Sequence, residues 1–419
     1  MTAGLAPTGD AQVVTFGCRL NAAQSQAIRE EASQDLAGAV VFNTCAVTAE
    51  AVRQARQAIR KARREQPEAR LIVTGCAAQI DPGMFAAMPE VDLVVGNARA
   101  ADAFALAGAR VRVSDIMTEG AAAPKVSGLA GRSRAYVAIQ NGCDHRCTFC
   151  VIPFGRGNSR SQPASTIVEQ TRGLVERGYR EVVLTGVDLT SWGADLDGSP
   201  TLGDLVGQIL TEVPGLPRLR LSSIDAAEID TALMAQIASA PRLMPHLHLS
   251  VQSGDDLILK RMKRRHSRAD ALELMAAVRR VRPDAAFGAD LIAGFPTETE
   301  AAFENTLAFV EEAGLAFLHV FPYSPRPGTP AARMPQHPAE LTHARARRLR
   351  AAGDAALARH IEGRVGERVS ALVEKPGHAR AEDFTEVAFE GEARSGSLIA
   401  GVVASHDGRR ARLEAWRAA

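Results

Sequence analysis

The hydrophobic positions of the first hundred residues come in four short β-branched or aromatic runs, 13–16, 39–42, 71–74 and 91–96. Between them lie helix-compatible stretches such as 49–65. Strands alternating with helices predict a parallel sheet covered by helices. The first three runs end in Gly17-Cys18, Asn43-Thr44-Cys45 and Gly75-Cys76, with the cysteines 27 and 31 residues apart, about one βα unit each. Parallel strands finish at one sheet edge, where open α/β sheets bind ligands, so this spacing predicts that Cys18, Cys45 and Cys76 converge.

Residues 121–134 carry Pro, Gly and Ser without a period and read as a linker. Strand-like runs then recur at 136–140, 181–186, 218–223, 246–252, 287–295 and 315–323, with helical segments between. Six such units predict a partial (β/α)6 barrel with its chemistry at the C-terminal strand ends. Six units in place of eight leave it partly open to a large substrate. Thr166 with Glu169, and Thr297 with Glu300, have capping-box spacing at helix starts. A polar helix over 341–360 precedes short runs at 369–373, 384–389, 398–405 and 410–414, which predict a small antiparallel β-barrel. The fold class is therefore α/β with a small all-β module, divided at 10–115, 130–358 and 361–419.

Composition narrows the class. Of 419 residues, 46% are hydrophobic and 23% charged, which excludes a disordered chain. No apolar run approaches the ~20 residues that cross a bilayer, and residues 1–14 lack a basic-then-apolar leader. The expectation is a cytoplasmic protein without membrane contact. With 49 basic against 48 acidic side chains, a uniformly basic nucleic-acid coat is excluded. Only 5 of the basic residues are Lys, and an Arg excess fits either phosphate contacts or a GC-rich genome. Two basic stretches with helical spacing, Arg53-Arg56-Arg60-Lys61-Arg63-Arg64 and Lys260-Arg261-Lys263-Arg264-Arg265-Arg268, are either phosphate-contacting surfaces or ordinary solvated helix faces.

The sharpest chemistry is Cys143-Asp-His-Arg-Cys147-Thr-Phe-Cys150, a C-x3-C-x2-C loop directly after a strand-like run. Three closely spaced thiolates suit iron–sulfur ligation. The alternatives are a zinc site, which needs a fourth ligand such as His145, and three unrelated cysteines. A 4Fe-4S cluster held by three cysteines leaves one iron open, which favours catalysis over electron storage. The loop resembles the signature of the radical S-adenosylmethionine (SAM) superfamily. That resemblance implies SAM chelation at the open iron and reductive cleavage to a 5′-deoxyadenosyl radical.

Two three-cysteine sets, one on an N-terminal α/β domain and one in the barrel, resemble the methylthiotransferase family. The similarity runs through Phe16-Gly-Cys18-Arg-Leu-Asn21, Asn43-Thr-Cys45-Ala-Val-Thr48, Thr74-Gly-Cys76-Ala-Ala-Gln79 and Cys150-Val-Ile-Pro-Phe-Gly-Arg-Gly157. It continues through Leu184-Thr-Gly-Val187, Ser222-Ser-Ile224, Gln252-Ser-Gly254, Leu259-Lys-Arg-Met262, Gly294-Phe-Pro-Thr-Glu298 and His319-Val-Phe-Pro-Tyr-Ser324. It implies two 4Fe-4S clusters, a SAM cluster on Cys143, Cys147 and Cys150 and an auxiliary one on Cys18, Cys45 and Cys76 that presents the inserted sulfur. One SAM then methylates that sulfur and a second supplies the radical. Gly186, Ser223, Gln252 and Gly294, at barrel-strand ends, are the expected SAM contacts, with turn or cap roles as the alternative.

Family branches modify adenosine 37 of tRNA carrying an isopentenyl or a threonylcarbamoyl group, or an aspartate of ribosomal protein S12. Segments 43–48, 74–79 and 319–333 resemble the threonylcarbamoyladenosine branch. Ala22-Ala23-Gln24, Phe154 and the 188–193 loop depart from common family residues. The implied partners are tRNA, a low-potential electron donor such as flavodoxin or ferredoxin, and a sulfur source. The terminal barrel resembles a TRAM RNA-binding module, yet residues 361–419 hold 9 basic and 10 acidic side chains, so charge gives that role no support.

Overall fold

The computed structural model describes residues 12–31, 36, 38–98, 109–120, 123–124, 128 and 132–418; residues 1–11 and most of the expected linker lie outside them. The chain forms two compact units. The first takes the N-terminal part to 126 together with 138–146 and 150–162, and the second takes 127–137, 147–149 and everything from 163 onward.

In the first unit, β1 (Gln12–Thr15), β2 (Ala39–Thr44), β3 (Arg70–Gly75), β4 (Leu93–Val95) and β5 (Val111–Arg112) form a sheet in sequential order. All four pairings are parallel. β2 is buried along its whole length, which is why it reads as an unbroken apolar run and not as an alternation. Ile28 of helix Arg19–Glu31 packs with Val41 and Ile72 on one face of the sheet. Ile59 and Ala62 of helix Ala49–Glu65 pack with Val40, Phe42 and Val73 on the other. Thr48 caps that second helix by accepting the Ala51 N–H, and the Cys45-Ala-Val-Thr48 turn places this cap just beyond the strand end. β5 escaped the sequence reading because it holds only two residues, neither of them buried.

Three short strands follow: β6 (Ala135–Ala138), β7 (Gln140–Asn141) and β8 (Arg160–Ser161). β7 and β8 pair antiparallel within the first unit, closing the loop that carries the second cysteine set.

The second unit holds two arcs. β6, β9 (Glu181–Thr185) and β10 (Arg218–Leu221) lie in the order β10-β9-β6; β11 (Ser223–Ile224), β12 (His246–Gln252), β13 (Ala286–Ala293) and β14 (Phe317–Pro322) lie in sequential order. β10 and β11 are one strand interrupted at Ser222, so the arcs supply the six βα strands that the spacing predicts. Neither predicted capping box forms. Pro163 starts helix Ala164–Glu176 three residues before Thr166, and Thr299, not Thr297, caps helix Glu300–Glu312. Capping boxes occur instead at Thr201 with Asp204 and Ser267 with Asp270, where the shorter Asp replaces Glu.

After helix Ala339–Glu362, β15 (Arg368–Lys375), β16 (His378–Ala381), β17 (Glu386–Phe389), β18 (Leu398–His406) and β19 (Ala411–Ala418) close a barrel in the order 15-16-17-19-18. Val369, Ala371, Val373, Val387, Ile399 and Leu413 fill it. Contrary to the all-antiparallel expectation, β17 and β19 run parallel. β16 was illegible because its inward positions are only Ala379 and Ala381. This barrel seats on the two arcs through charge. Glu181, wholly buried, takes Arg220 at 3.2 Å and Arg134 at 2.8 Å, and Arg134 also reaches Glu374 at 2.7 Å. Arg220 donates onward to the Glu382 carbonyl at 3.0 Å. Burial alone would push Glu181 up, but Arg220 and Arg134 outweigh it and hold the carboxyl at about 2.

Candidate metal centre

Three consecutive parallel strands end at one sheet edge, and the first cysteine set stands there. Cys45 directly follows β2, Cys76 directly follows β3, and Cys18 lies three residues beyond β1. The strand ends are cross-tied. Thr44 Oγ1 donates to the Thr74 carbonyl at 2.6 Å and accepts the Ala78 N–H at 3.2 Å, while Asn21 Nδ2 donates to the carbonyls of Phe16 (2.7 Å) and Thr44 (3.1 Å). Two glycines permit the approach. Gly17 and Gly75 have φ of +94° and +95°; a Cβ on Gly17 would lie 2.7 Å from Cys45 Sγ, and one on Gly75 only 2.4 Å from the Thr44 nitrogen. Cys18, Cys45 and Cys76 therefore gather as the spacing predicts, with Cys18 and Cys76 close enough to act electrostatically on Cys45.

The side chain facing the three thiols is Arg156, only 2% exposed. Its guanidinium donates to Asn141 Oδ1 at 3.0 Å, to Asn21 Oδ1 and to Gln24 Oε1 at 3.4 Å, and it hydrogen-bonds Cys76. Among the described residues no carboxylate pairs with it. A buried guanidinium requires an anion, and sulfur is what this pocket offers. Burial pushes the Cys45 thiol up to about 11 and raises Cys76, while Arg156 pulls both back. Asn97 Nδ2 stands 3.8 Å from Cys76 Sγ and donates to the Gly155 carbonyl at 2.6 Å, fixing the Arg156 segment beside the thiols. Convergent thiols facing a buried cation that lacks a carboxylate suit an anionic metal–sulfur group.

The second set sits on the loop between β7 and β8, with all three thiols partly exposed. In the first unit, the Cys143 N–H donates to the Gly157 carbonyl at 3.1 Å and the Ile152 N–H points to Cys150 Sγ at 3.4 Å. In the second unit, Thr148 ties its N–H to the Met262 carbonyl and its hydroxyl to the Arg261 carbonyl. Cys147 Sγ accepts from Arg264 Nη1 at 3.6 Å. Arg264 also grips Asp225 at 2.8 Å and the Ser250 carbonyl at 2.7 Å. Burial would raise the Asp225 carboxyl, but His266 and Arg264 hold it far below the usual range.

The four expected SAM contacts all fall at C-terminal strand ends of the second unit. Gly186 follows β9, Ser223 opens β11, Gln252 ends β12 with φ +75°, and Gly294 follows β13. Gly294 also has a packing reason, since a Cβ there would lie 2.6 Å from Thr342 Oγ1. The departing 188–193 loop is structural in part: Trp192 is buried.

Both basic stretches are partly paired internally. Arg53 pairs with Glu50, Lys61 with Glu65 and Arg63 with Asp92; in the second unit Arg264 pairs with Asp225, Arg265 with Glu228 and Arg268 with Glu312. Sequence reasoning counted Arg264 as surface charge and named Arg156 only within a motif. The partners that bury them lie 39 and 135 residues away, beyond any local pattern.

Residues 137–310 match the radical SAM superfamily, and residues 10–96 match a family described only as uncharacterized protein family UPF0004. The chain is 50% identical over 383 residues to threonylcarbamoyladenosine tRNA methylthiotransferase MtaB of Rickettsia prowazekii, covering 90% of this chain and 91% of that one. It is 34% identical to the protein of the same name from Aquifex aeolicus, covering 92% and 98%. A tRNA-2-methylthio-N(6)-dimethylallyladenosine synthase of Cereibacter sphaeroides is 37% identical, with 87% of each chain covered. Among solved structures, the radical SAM methyltransferase TsrM of Kitasatospora setae superposes with TM-score 0.53 at 17% identity, covering 71% of this chain and 64% of that one, a likeness of fold alone. No helix among the described residues is long and apolar enough to cross a membrane. With both family matches in the expected order and identity sustained over nine-tenths of its length, the chain belongs to the radical SAM methylthiotransferase family.

Proposed function

We propose that this protein installs a methylthio group at C2 of threonylcarbamoyladenosine 37 in tRNA, using SAM both as methyl donor and as radical source. The observation that carries this reading is the first cysteine pocket, in which Cys18, Cys45 and Cys76 face the buried Arg156. A radical SAM enzyme needing a single cluster has no use for it. The 50% identity to a protein named for threonylcarbamoyladenosine, against 37% to one named for dimethylallyladenosine, supports the choice of acceptor.

In this reading Cys143, Cys147 and Cys150 hold the SAM cluster, and Cys18, Cys45 and Cys76 hold the auxiliary one. When bound, the two clusters supply the electron that cleaves SAM and the sulfur to be inserted. The chain's own residues position and shield. Arg156 compensates negative charge at the auxiliary pocket, Asn97 and Asn21 fix its walls, and Arg264 orients the Cys147 end of the SAM loop. Backbone groups at Gly186, Ser223, Gln252 and Gly294, at the strand ends, would offer donors and acceptors to bound SAM. A low-potential donor such as flavodoxin or ferredoxin and a separate sulfur source complete the cycle, in the cytoplasm.

Two measurements test this. Nucleoside mass spectrometry of tRNA from cells lacking the gene is expected to show loss of methylthio-threonylcarbamoyladenosine; its persistence alongside loss of methylthio-isopentenyladenosine, or of the S12 modification, refutes the substrate. Anaerobically purified Cys76→Ala protein is expected to hold about half the wild-type iron and sulfide, given one cluster per cysteine triad. Equal contents, or zinc without sulfide, refute the two-cluster arrangement.

A further inference from the structure

The strands β12, β13 and β14 present two unlike faces. On one, Leu247, Leu249, Val251, Phe287, Ala289 and Leu291 are fully buried, and Arg279 of helix Arg268–Val281 lies over the Phe287 ring. The other face, inside the arc, is polar at its centre. His248 Nε2 lies 3.0 Å and His319 Nδ1 lies 3.2 Å from the same atom, Asp290 Oδ1. Register sets this row, because Asp290 lies opposite His319, and Gly288 opposite His248. Gly288 makes room for the imidazole: a Cβ there would sit 2.5 Å from His248 Nδ1. Nothing in the cysteine chemistry uses this row.

The row has a floor and an opening. One pair of residues toward the strand starts, the His246 ring stacks on Phe384 at 4.6 Å and meets Phe317 edge-on at 5.4 Å, closing the interior from below. Exposure rises across the row, with side chains 8% exposed at His248, 19% at Asp290 and 57% at His319. Asp290 is held as a carboxylate by its two imidazole partners against the opposing effect of burial. A carboxylate only accepts, so both rings must donate to it: His248 through Nε2–H and His319 through Nδ1–H. His319 is thereby fixed in one tautomer with Nε2 turned away from Asp290. That nitrogen can accept from an N–H or O–H, or donate to a carboxylate when the ring carries a second proton.

We propose that His319, oriented by Asp290, reads a polar substituent on N6 of the acceptor adenine and excludes an apolar one. The proposal rests on the acceptor assigned above and names the group that recognises it. A base presented at the strand ends extends its N6 group down the inner face toward this row. Threonylcarbamoyl offers an amide N–H, a hydroxyl and a carboxylate; isopentenyl offers none of these and strips water from the Asp290–His319 pair without replacing it. Sites built to hydrogen-bond a substituent reject the analogue lacking it more strongly than apolar pockets reject an added polar group.

The test uses full-length reconstituted protein and two anticodon stem-loops that differ only at N6 of residue 37, one threonylcarbamoyl and one isopentenyl. Equilibrium binding by fluorescence anisotropy and product formation by mass spectrometry are both measured. His319→Phe is expected to lose about tenfold to a hundredfold of the preference for the threonylcarbamoyl stem-loop, the range for one hydrogen bond to a charged group. His319→Gln, which keeps a polar tip, is expected to retain part of it, and Asp290→Asn to fall between wild type and His319→Phe. Wild-type preference for threonylcarbamoyl that persists unchanged in His319→Phe overturns the role of His319 alone. A wild-type preference for the isopentenyl stem-loop overturns the acceptor assignment, and this proposal with it.

Discussion

Replacing Arg156 by Met removes the one buried cation at the first cysteine pocket while keeping much of its volume. The guanidinium there is 2% exposed, its protein oxygen partners Asn21, Gln24 and Asn141 are all neutral, and its electrostatic partners are Cys76, Cys18 and Cys45. A hydrogen bond to a charged group contributes about 1.5–3 kcal/mol. For a one-electron couple, a tenfold change in equilibrium constant is about 59 mV and about 1.4 kcal/mol, so the loss shifts the potential by at most about 65–130 mV, the limit in which the bond serves the reduced form alone. The sign follows from charge: reduction adds an electron, the cation favours the reduced form, and its removal drives the potential more negative. The measurement is an EPR-monitored redox titration of protein whose Cys143, Cys147 and Cys150 are Ala, so that only the proposed auxiliary cluster reports. Arg156→Lys is expected to recover part of the shift, since a shorter cation remains. Equal midpoint potentials in wild type and Arg156→Met, at equal iron content, would show that the guanidinium does not face the cluster and would refute the argument.

Three further outcomes follow from buried groups. Glu181→Gln leaves Arg134, Arg218 and Arg220 without their shared carboxylate and is expected to cost about 3–5 kcal/mol in urea unfolding, the range for breaking a buried pair. Because Glu181 sits at about 2, below its ordinary 4.5, its contribution is present above about pH 4.5 and fades as pH falls toward 2; an unchanged acid transition in the variant counts against the cluster. Glu298 behaves oppositely. Burial outweighs the Gly294 N–H and Arg345 and pushes it up to about 7, so its contribution is complete below pH 4.5 and is lost as pH rises through 7. Glu298→Gln is expected to flatten the dependence of Tm on pH across that window, and an unaltered slope contradicts the assignment. Gly75→Ala forces a side chain into φ +95° against the Thr44 backbone and is expected to cost at least about 1–3 kcal/mol and to lower iron content, both measurable on the purified protein.

Much of the architecture was legible because it is periodic. Helix Ala49–Glu65 and strand His246–Gln252 were placed at their bounds, and convergence of the first cysteine set followed from three strands ending at one edge. The misses share a different character. β16 was lost because alanines carry its inward face, and the capping boxes were misplaced because Pro163 and the left-handed Thr297 shift where the helices begin. Arg156, Glu181 with its arginines, and the His248–Asp290–His319 row could not be read from neighbours at all.

The sequence by itself determined the order of strands and helices, the thiol inventory and the edge at which three of the thiols gather, since those depend on burial with a period of two or 3.6 and on chain direction. Only the tertiary structure decided which cation meets the thiols, which carboxylate holds three arginines at the barrel seat, and which oxygen two imidazoles share. Those pairings join residues some 30 to 135 positions apart. Their energies depend on distances of about 3 Å in a dry interior, and packing, not local pattern, sets such distances.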